Sequence, residues 1–420
     1  MLNGRRHQSR ATDHTMTTAS ITSTSAAPDV PADALLALFE RAGYTRLTPA
    51  ILQPAEPFLD LSGEDIRKRM YLTTDPQGRE LCLRPDLTIP VSRDYLASPS
   101  AGTPQGFCYL GPVFRHRKSD VSDFRHSKAK SLGDDGPSEF LQAGIESFGR
   151  SDTAAADAEM LALGLEATGH YGLSKPDIRM GDVALFSALV TALDLAPAWK
   201  RRLIKDFNHK SSLAHDLDRL SISPSHARPE YQGVLAALAG SDPKAAHALV
   251  TDLLSIAGIT AVGGRSVGEI ADRFLEQAAL GAQTSLPKET RALIEKFLAI
   301  SGDPDEAAAE LRAFARQAFV RHAKVALDAA LDLFESRTGF LAARGVDVSR
   351  IRFSTAFGRG LDYYTGYVFE LHDPDARVAG QLVAGGRYDG LLTRLGSPKS
   401  IPAVGFAVWI ERLAALQGAA

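Results

Sequence analysis

The side chains with the clearest potential for chemistry lie in short segments where charged residues, glycine and proline interrupt otherwise β-like sequence. These segments are 83–88, 111–115, 139–146, 358–366, 385–390 and 403–412. They contain carboxylates, an amide and arginines, with Asp86, Gln142 and Arg359 among them. A zwitterionic amino acid needs an anion or acceptor for its ammonium group and a cation for its carboxylate. Together the segments therefore predict a polar pocket for such a ligand.

Common catalytic patterns of other kinds are missing from the 420-residue sequence. It contains no GxxxxGK[ST] phosphate loop and no HExxH zinc motif. Its 11 histidines are scattered, and its two cysteines, Cys82 and Cys108, form no CxxC pair. These features predict no metal site and no cofactor, and they argue against a disulfide scaffold.

In this order the segments resemble histidyl-tRNA synthetase, over most of residues 30–190 and 345–415. The stretches GRGLDYYTGYVFE and GGRYDGL match that family's histidine-specific motifs almost letter for letter. Arg115 and Arg412 stand at the arginines of its second and third class II signatures. The resemblance implies an α+β fold of the class II aminoacyl-tRNA synthetase type, an antiparallel sheet flanked by helices, here with a helical insertion and normally in a homodimer.

The resemblance also implies which residues bind histidine. The predicted histidine-binding residues are Asp86, Thr88, Arg115, Gln142, Glu146, Arg359, Tyr363 and Tyr364. Of these, Asp86, Thr88 and Gln142 are expected to take the ammonium group of the ligand. Arg359 is expected to take its carboxylate.

The imidazole ring of the ligand is expected to lie against Glu146 and Tyr364. A carboxylate beside the ring would favour its protonated form. The alternative interpretation is that Asp86 and Glu146 are satisfied polar residues of the core, kept from an ancestral fold.

Three departures from the synthetase pattern argue against aminoacylation. Where the family has a glutamate that helps to hold ATP, two positions after Arg115, this chain has the cation Arg117. Where the third signature has a glycine, the chain has Trp409, whose indole would fill space that a nucleotide base needs. The sequence also ends at residue 420, soon after Arg412, where a synthetase continues into an anticodon-binding domain.

A synthetase-like chain with these departures resembles the regulatory subunit of ATP phosphoribosyltransferase. In that family the chain is not catalytic, is required for activity of a short-form catalytic subunit, and mediates feedback inhibition by L-histidine in the first step of histidine biosynthesis. The resemblance implies a cytoplasmic homodimer within a hetero-octamer, with no membrane contact and no tRNA partner. Two alternatives stay open: a stand-alone histidyl-tRNA synthetase-like core that activates or transfers histidine, and a synthetase-like domain with another sensing role.

Composition and charge agree with this interpretation. Apolar residues make up 45% and charged residues 23% of the chain, as in ordinary globular proteins. Lysine and arginine number 47 against 50 acids, so no excess of positive charge indicates nucleic-acid binding. No apolar run approaches the roughly 18 residues that a membrane span needs.

The chain divides into four predicted regions. Residues 1–28 are rich in serine and threonine and are expected to be a disordered tail, with a transit peptide or a start at Met16 as alternatives. Residues 29–190 and 346–420 are expected to form the two parts of a synthetase-like core. Residues 191–345, with alanine and leucine at helical spacing, are expected to form a helical insertion. No anticodon-binding domain is expected.

These regions must supply the strands and helices that position the pocket segments. Alternating and short apolar runs predict strands at 79–83, 106–114, 351–354 and 366–372. Gly385–Gly386 predicts a tight turn between two strands. The final apolar segment, 404–416, predicts a helix because its apolar residues recur at helical spacing.

Overall fold

The computed structural model describes residues 32–117, 137–207, 210–221, 243–258, 267–268, 271, 288–316 and 324–417. The predicted tail, residues 1–28, lies outside these described residues. The predicted α+β class is confirmed, because helices and strands are both abundant in the described part of the chain.

The strands whose bounds are defined are β1 (Thr45–Arg46), β2 (Leu52–Pro54), β3 (Tyr71–Thr74), β4 (Glu80–Leu83), β5 (Gln105–Phe114), β6 (Glu139–Phe148), β7 (Asp177–Asp182), β8 (Ser301–Gly302), β9 (Ile351–Ser354), β10 (Tyr367–His372), β11 (Gln381–Arg387) and β12 (Ala403–Trp409). All four strands that the pattern predicts are present, as β4, β5, β9 and β10.

The helices whose bounds are defined are α1 (Ala32–Arg41), α2 (Glu56–Leu61), α3 (Gly63–Arg67), α4 (Thr88–Ala97), α5 (Thr153–His170), α6 (Val183–Ala192), α7 (Pro197–Asp206), α8 (Lys210–Ser221), α9 (Pro243–Ile256), α10 (Lys288–Leu298), α11 (Pro304–Ala315), α12 (Lys324–Ala343), α13 (Leu391–Arg394) and α14 (Ile410–Gln417). In α1 the apolar side chains at helical spacing, Leu35, Leu36 and Phe39, are buried, and Gly43 follows the helix with a φ of +95°.

Nine strands form one sheet in the order β1-β5-β6-β12-β11-β10-β7-β9-β8. The six strands from β5 to β7 in that order pair antiparallel, whereas the pairs β1–β5 and β7–β9 are parallel. A second sheet has the order β2-β4-β3. The large sheet is therefore mixed, with the predicted antiparallel arrangement at its centre.

Two predictions near the end of the chain are wrong. Gly385 and Gly386 lie inside β11 and not in a turn. A Cβ on Gly385 would lie 2.2 Å from the carbonyl oxygen of Gly405, so the glycine permits close packing of β11 against β12. The predicted helix over 404–416 begins only at Ile410, because residues 403–409 form a central strand whose nearly continuous burial hides the alternation of its two faces.

The helical region between residues 191 and 345 contacts the rest of the fold through a short strand and through helices. The two-residue strand β8 pairs with β9 at the edge of the large sheet, and α12 packs against α5 and α6. The helices α7 to α12 dominate the described part of this region. The boundaries at residues 190 and 345 stay predictions.

A buried cluster of charged residues ties α12 to the sheet. Arg337 on α12 donates to Asp157 on α5 at 2.9 Å and to Asp182 at the end of β7 at 2.8 Å. Arg387, at the end of β11, donates from its Nε to the other oxygen of Asp157 at 2.8 Å. The guanidinium of Arg337 also lies 4.6 Å from the ring centroid of Tyr367. Because Arg387 belongs to the GGRYDGL segment, this cluster fixes the position of that segment.

Candidate functional site

A cavity of about 150 Å³ lies between β6, β11 and β12 of the sheet, helix α3, the start of α4 and the loop that joins β9 to β10. Pockets for drug-sized ligands measure roughly 300–1,000 Å³, so this one suits a molecule of amino-acid size. Seven of the eight predicted histidine-binding residues line it, namely Asp86, Thr88, Arg115, Gln142, Arg359, Tyr363 and Tyr364. Their role as ligand partners stays a prediction.

One end of the cavity presents two buried oxygen atoms that no described residue contacts through a hydrogen bond. Asp86 lies two residues before the first residue of α4, and its Oδ1 accepts the backbone N–H of Ile89 at 3.3 Å. Its Oδ2 and the Oε1 of Gln142 on β6 are buried and have no hydrogen-bond partner among the described residues. Burial raises the pKa of Asp86, and the charge of Arg115 opposes that rise. Buried polar atoms are nearly always paired, so these two acceptors are suited to a donor-rich group such as an ammonium.

The loop between β9 and β10 brings a buried cation into the cavity wall. The Nε of Arg359 donates to Glu370 on β10 at 3.2 Å, and its Nη1 donates to the hydroxyl of Tyr364. His372, two residues further along β10, contacts the second oxygen of Glu370 at 3.0 Å. Burial would raise the pKa of Glu370, but the hydrogen bond from His372 and the charge of Arg359 hold it below its usual value. Arg359 is therefore held in position by an ionised partner.

A second cation, Arg115, follows β5. Its Nε donates to the carbonyl oxygen of Pro85 at 2.7 Å, and its guanidinium lies 5.5 Å from the ring centroid of Phe140. Burial lowers the pKa of Arg115 to about 10, so it is still cationic at neutral pH. The positive charge of Arg115 interacts with the negative charge of Asp86, so the two charges offset each other at this end of the cavity.

The eighth predicted residue, Glu146, does not line the cavity. Its side chain on β6 is fully buried and accepts three hydroxyl hydrogen bonds, from Thr88 at 2.8 Å, from Tyr109 at 3.1 Å and from Tyr388. Burial raises its pKa to about 8, and the three hydrogen bonds oppose that rise. A Cβ on Gly405 of β12 would lie 1.7 Å from its Oε2, so only glycine fits opposite Glu146.

Sequence reasoning missed several residues of the cavity wall, among them Tyr388 and Glu370. Tyr388 lies within the GGRYDGL segment, and Glu370 lies at the end of the GRGLDYYTGYVFE segment, so both were inside recognised motifs. Nothing in one sequence says which member of a motif reaches a cavity. The third hydroxyl partner of Glu146, Tyr109, lies outside the recognised segments.

The side of the cavity near the third class II signature is filled by side chains. Trp409 at the end of β12 lines the cavity and is only 6% exposed. The guanidinium of Arg412 lies 5.6 Å from the Trp409 ring centroid and donates to the carbonyl oxygen of Gln381 at 2.8 Å. Glu411 accepts the backbone N–H of Leu141 at 2.6 Å. The signature residues are thus engaged within the protein.

The described residues contain no group of three or more His, Cys, Asp and Glu side chains arranged to hold a metal ion. Among the helices within the described ranges, none is long and apolar enough to cross a membrane.

Comparison with known proteins places the chain in a family. The family model for histidyl-tRNA synthetase matches residues 29–274 and 248–413. ATP phosphoribosyltransferase regulatory subunits of Brucella canis and Brucella suis are each 41% identical to the chain over 374 residues, which is 88% of this chain and 92% of theirs. The chain belongs to the ATP phosphoribosyltransferase regulatory subunit family. The resemblance that the sequence segments indicated is thereby confirmed.

Solved structures agree with this assignment at the level of fold. An ATP phosphoribosyltransferase regulatory subunit/histidyl-tRNA synthetase from Bacillus halodurans matches with a TM-score of 0.60 and 22% identity, over 92% of this chain and 78% of that one. A histidyl-tRNA synthetase from a Nostoc species matches with a TM-score of 0.55 and 17% identity, over 92% of this chain and 70% of that one. This chain therefore has the class II aminoacyl-tRNA synthetase-like fold, as the sequence predicts.

Proposed function

We propose that this chain is a non-catalytic regulatory subunit that activates a short-form ATP phosphoribosyltransferase catalytic subunit and carries its feedback inhibition by L-histidine. The proposal includes a homodimer of this chain within a hetero-octamer. It also includes a cytoplasmic location, in keeping with two buried cysteines that form no disulfide.

The observation that supports histidine binding is a pair of buried acceptors, Asp86 Oδ2 and Gln142 Oε1, which have no partner in the part of the chain that the structure describes. They lie in a cavity that Arg359 also lines. An amino acid has an ammonium group for the acceptors and a carboxylate for the arginine. The small volume of the cavity, about 150 Å³, favours one amino acid over a nucleotide.

The proposal that the chain is not catalytic is supported by the residues at the positions where a synthetase holds ATP. Trp409 is buried where the synthetase signature has glycine, and Arg412 is engaged by Trp409 and by the Gln381 carbonyl. Arg117 stands where the synthetase glutamate that helps to hold ATP would be. Together these features remove both space and a partner for ATP.

Feedback requires histidine to bind two states of the assembly with different affinity. A coupling free energy of about 1–3 kcal/mol between the histidine cavity and the catalytic subunit would change activity roughly 5- to 150-fold. Such coupling can arise only if the cavity residues make different contacts in the two states.

The proposal is tested by co-purifying the chain with a short catalytic subunit and assaying the complex with and without L-histidine. We expect the catalytic subunit to be active only in the complex, and the complex to be inhibited by histidine. Replacing Asp86 with asparagine should leave stimulation intact and raise the inhibitory histidine concentration at least about tenfold, because a charge-assisted bond to the ammonium is lost.

Asp94→Asn is the matched control, since Asp94 is an exposed carboxylate on α4, away from the cavity. It should behave as the unchanged protein in both assays. Failure of the unchanged chain to stimulate the catalytic subunit would contradict the regulatory role, and stimulation without histidine inhibition would contradict the effector role alone.

The alternative function is a synthetase-like enzyme that activates histidine. The three arginines Arg115, Arg359 and Arg412 favour it, since such cations suit phosphate groups. Histidine-dependent exchange of pyrophosphate into ATP by the purified chain would establish this alternative. We expect no such exchange.

A further inference from the structure

A histidine side chain outside the cavity supports the buried arginine of the cavity through a shared carboxylate. His372 on β10 does not line the cavity, whereas Glu370 on the same strand and Arg359 do. One oxygen of Glu370 accepts from the Nε of Arg359 at 3.2 Å, and the other lies 3.0 Å from the Nε2 of His372. The side chains of His372 and Glu370 are only 14% and 18% exposed, so little solvent competes for these bonds. The three residues form a chain of contacts that begins outside the cavity wall and ends inside it.

The direction of the hydrogen bond between His372 and Glu370 follows from the charge of the carboxyl group. Burial would raise the pKa of Glu370, but the hydrogen bond from His372 and the charge of Arg359 hold this pKa below its usual value. Glu370 is therefore ionised at neutral pH, and an ionised carboxylate can only accept hydrogen bonds. The Nε2 of His372 must then carry a proton and donate to Glu370.

The neighbouring strand offers His372 a second carboxylate, but arginines occupy it. Asp177 on β7 lies directly opposite His372 in the sheet, so both Asp177 and Glu370 share its face. The Oδ2 of Asp177 accepts from Arg179 at 3.0 Å and also from Arg352. Within the described ranges, the one polar contact of His372 is with Glu370. His372 is therefore a partner of Glu370 and not of Asp177.

The hydrogen bond from His372 determines how many donors of Arg359 are occupied by Glu370. A carboxylate with both oxygens available commonly binds an arginine through two parallel N–H bonds. Here His372 occupies one oxygen, so Glu370 accepts from the Nε of Arg359 alone. The Nη1 of Arg359 donates to the hydroxyl of Tyr364, and no described residue accepts from its Nη2. The Nη2 donors are therefore available to a carboxylate in the cavity.

We propose that His372 is a positioning residue for effector binding: it occupies the second oxygen of Glu370 and so keeps the Nη2 of Arg359 for the carboxylate of L-histidine. The inference rests on the proposed histidine binding and concerns the carboxylate end of the ligand. Without His372, Glu370 can turn its second oxygen to Nη2 and pair with Arg359 through two bonds. The ligand carboxylate would then compete with a carboxylate already in place. The loss of affinity should be confined to ligands that carry a carboxylate.

Replacing His372 with leucine tests this role, because leucine removes the ring donor and keeps an apolar side chain of moderate size. By calorimetry, His372→Leu should weaken L-histidine binding roughly tenfold, since a bond to a charged group is exchanged for a competing ion pair. It should change the affinity for L-histidinol, which has a hydroxymethyl group in place of the carboxylate, by less than about threefold. Retained binding of L-histidinol also shows that the variant is folded.

His372→Gln and His170→Leu are the matched controls. The amide of glutamine supplies an N–H donor in place of the imidazole Nε2, so His372→Gln should bind L-histidine within about threefold of the unchanged protein. His170 is exposed at the end of α5 and does not line the cavity, so His170→Leu should leave both affinities unchanged. Equal losses of L-histidine affinity in His372→Gln and His372→Leu would overturn the donor role of His372.

A double-mutant cycle with Glu370→Gln tests whether His372 acts through Glu370. An amide has a single oxygen and cannot accept two parallel bonds from Arg359, so His372→Leu should cost less than about threefold in that background. The same loss in both backgrounds would overturn the inference. Equal losses for L-histidine and L-histidinol would also overturn it, because the effect would then not depend on the ligand carboxylate. If the unchanged protein does not bind L-histidine, the histidine part of the proposed function fails, and this inference fails with it.

Discussion

Replacing Arg359 with methionine should weaken L-histidine binding by about 100-fold or more. The guanidinium is buried, is held by Glu370 and Tyr364, and is the predicted partner of the ligand carboxylate. Removing one member of a buried, hydrogen-bonded charge pair costs about 2–5 kcal/mol, because the other charge is left without its partner. Methionine keeps the unbranched shape of the side chain and removes only the charge and the donors. Calorimetric titration with histidine measures the effect.

Arg352→Met is the matched control for Arg359→Met. Arg352 lies on β9, next to the same loop, and forms an ion pair with Asp177 at a largely exposed position. Exposed ion pairs contribute about 0–1 kcal/mol, so histidine affinity and stability should hardly change. Equal affinities of Arg359→Met and the unchanged protein would contradict the assignment of Arg359 as the carboxylate partner.

Replacing Arg337 with methionine should lower the free energy of unfolding by about 3–5 kcal/mol. Arg337 is 1% exposed and is shared by the buried carboxylates of Asp157 and Asp182. Removing a buried charge while leaving its partners is strongly destabilising, because desolvated carboxylates lose their compensation. Arg387 still pairs with Asp157, but the structure assigns Asp182 no second cation in this cluster. The shift of the urea unfolding midpoint measures the effect.

Arg312→Met is the corresponding control on the neighbouring helix α11. Arg312 pairs with three acids of α12, namely Asp328, Asp332 and Glu335, but this network lies at the surface. The expected cost is about 1 kcal/mol or less, since solvent screens exposed pairs. Equal shifts in the two variants would mean that burial does not decide the strength of these ion pairs.

Much of the fold was predictable from local patterns. Strands with clear boundaries, such as β9 and β10, and amphipathic helices, such as α1, follow directly from apolar spacing. The strand at 403–409 was not predictable in this way. A short apolar run that is buried between two strands shows no alternation of apolar and polar residues. Its assignment as a strand depends on pairing with β6 and β11, which are distant in sequence.

The sequence by itself determined the family and seven of the polar residues that line the cavity, because these seven lie in contiguous motifs that can be recognised without coordinates. Gln142 and Glu146 lie four residues apart on β6 and so share one face of the sheet. Only the tertiary structure decided that Gln142 reaches the cavity while hydroxyls from α4, β5 and the end of β11 enclose Glu146. The reason is physical: strand periodicity sets the direction of a side chain, but the atoms in front of it come from elements that are adjacent only in the folded chain.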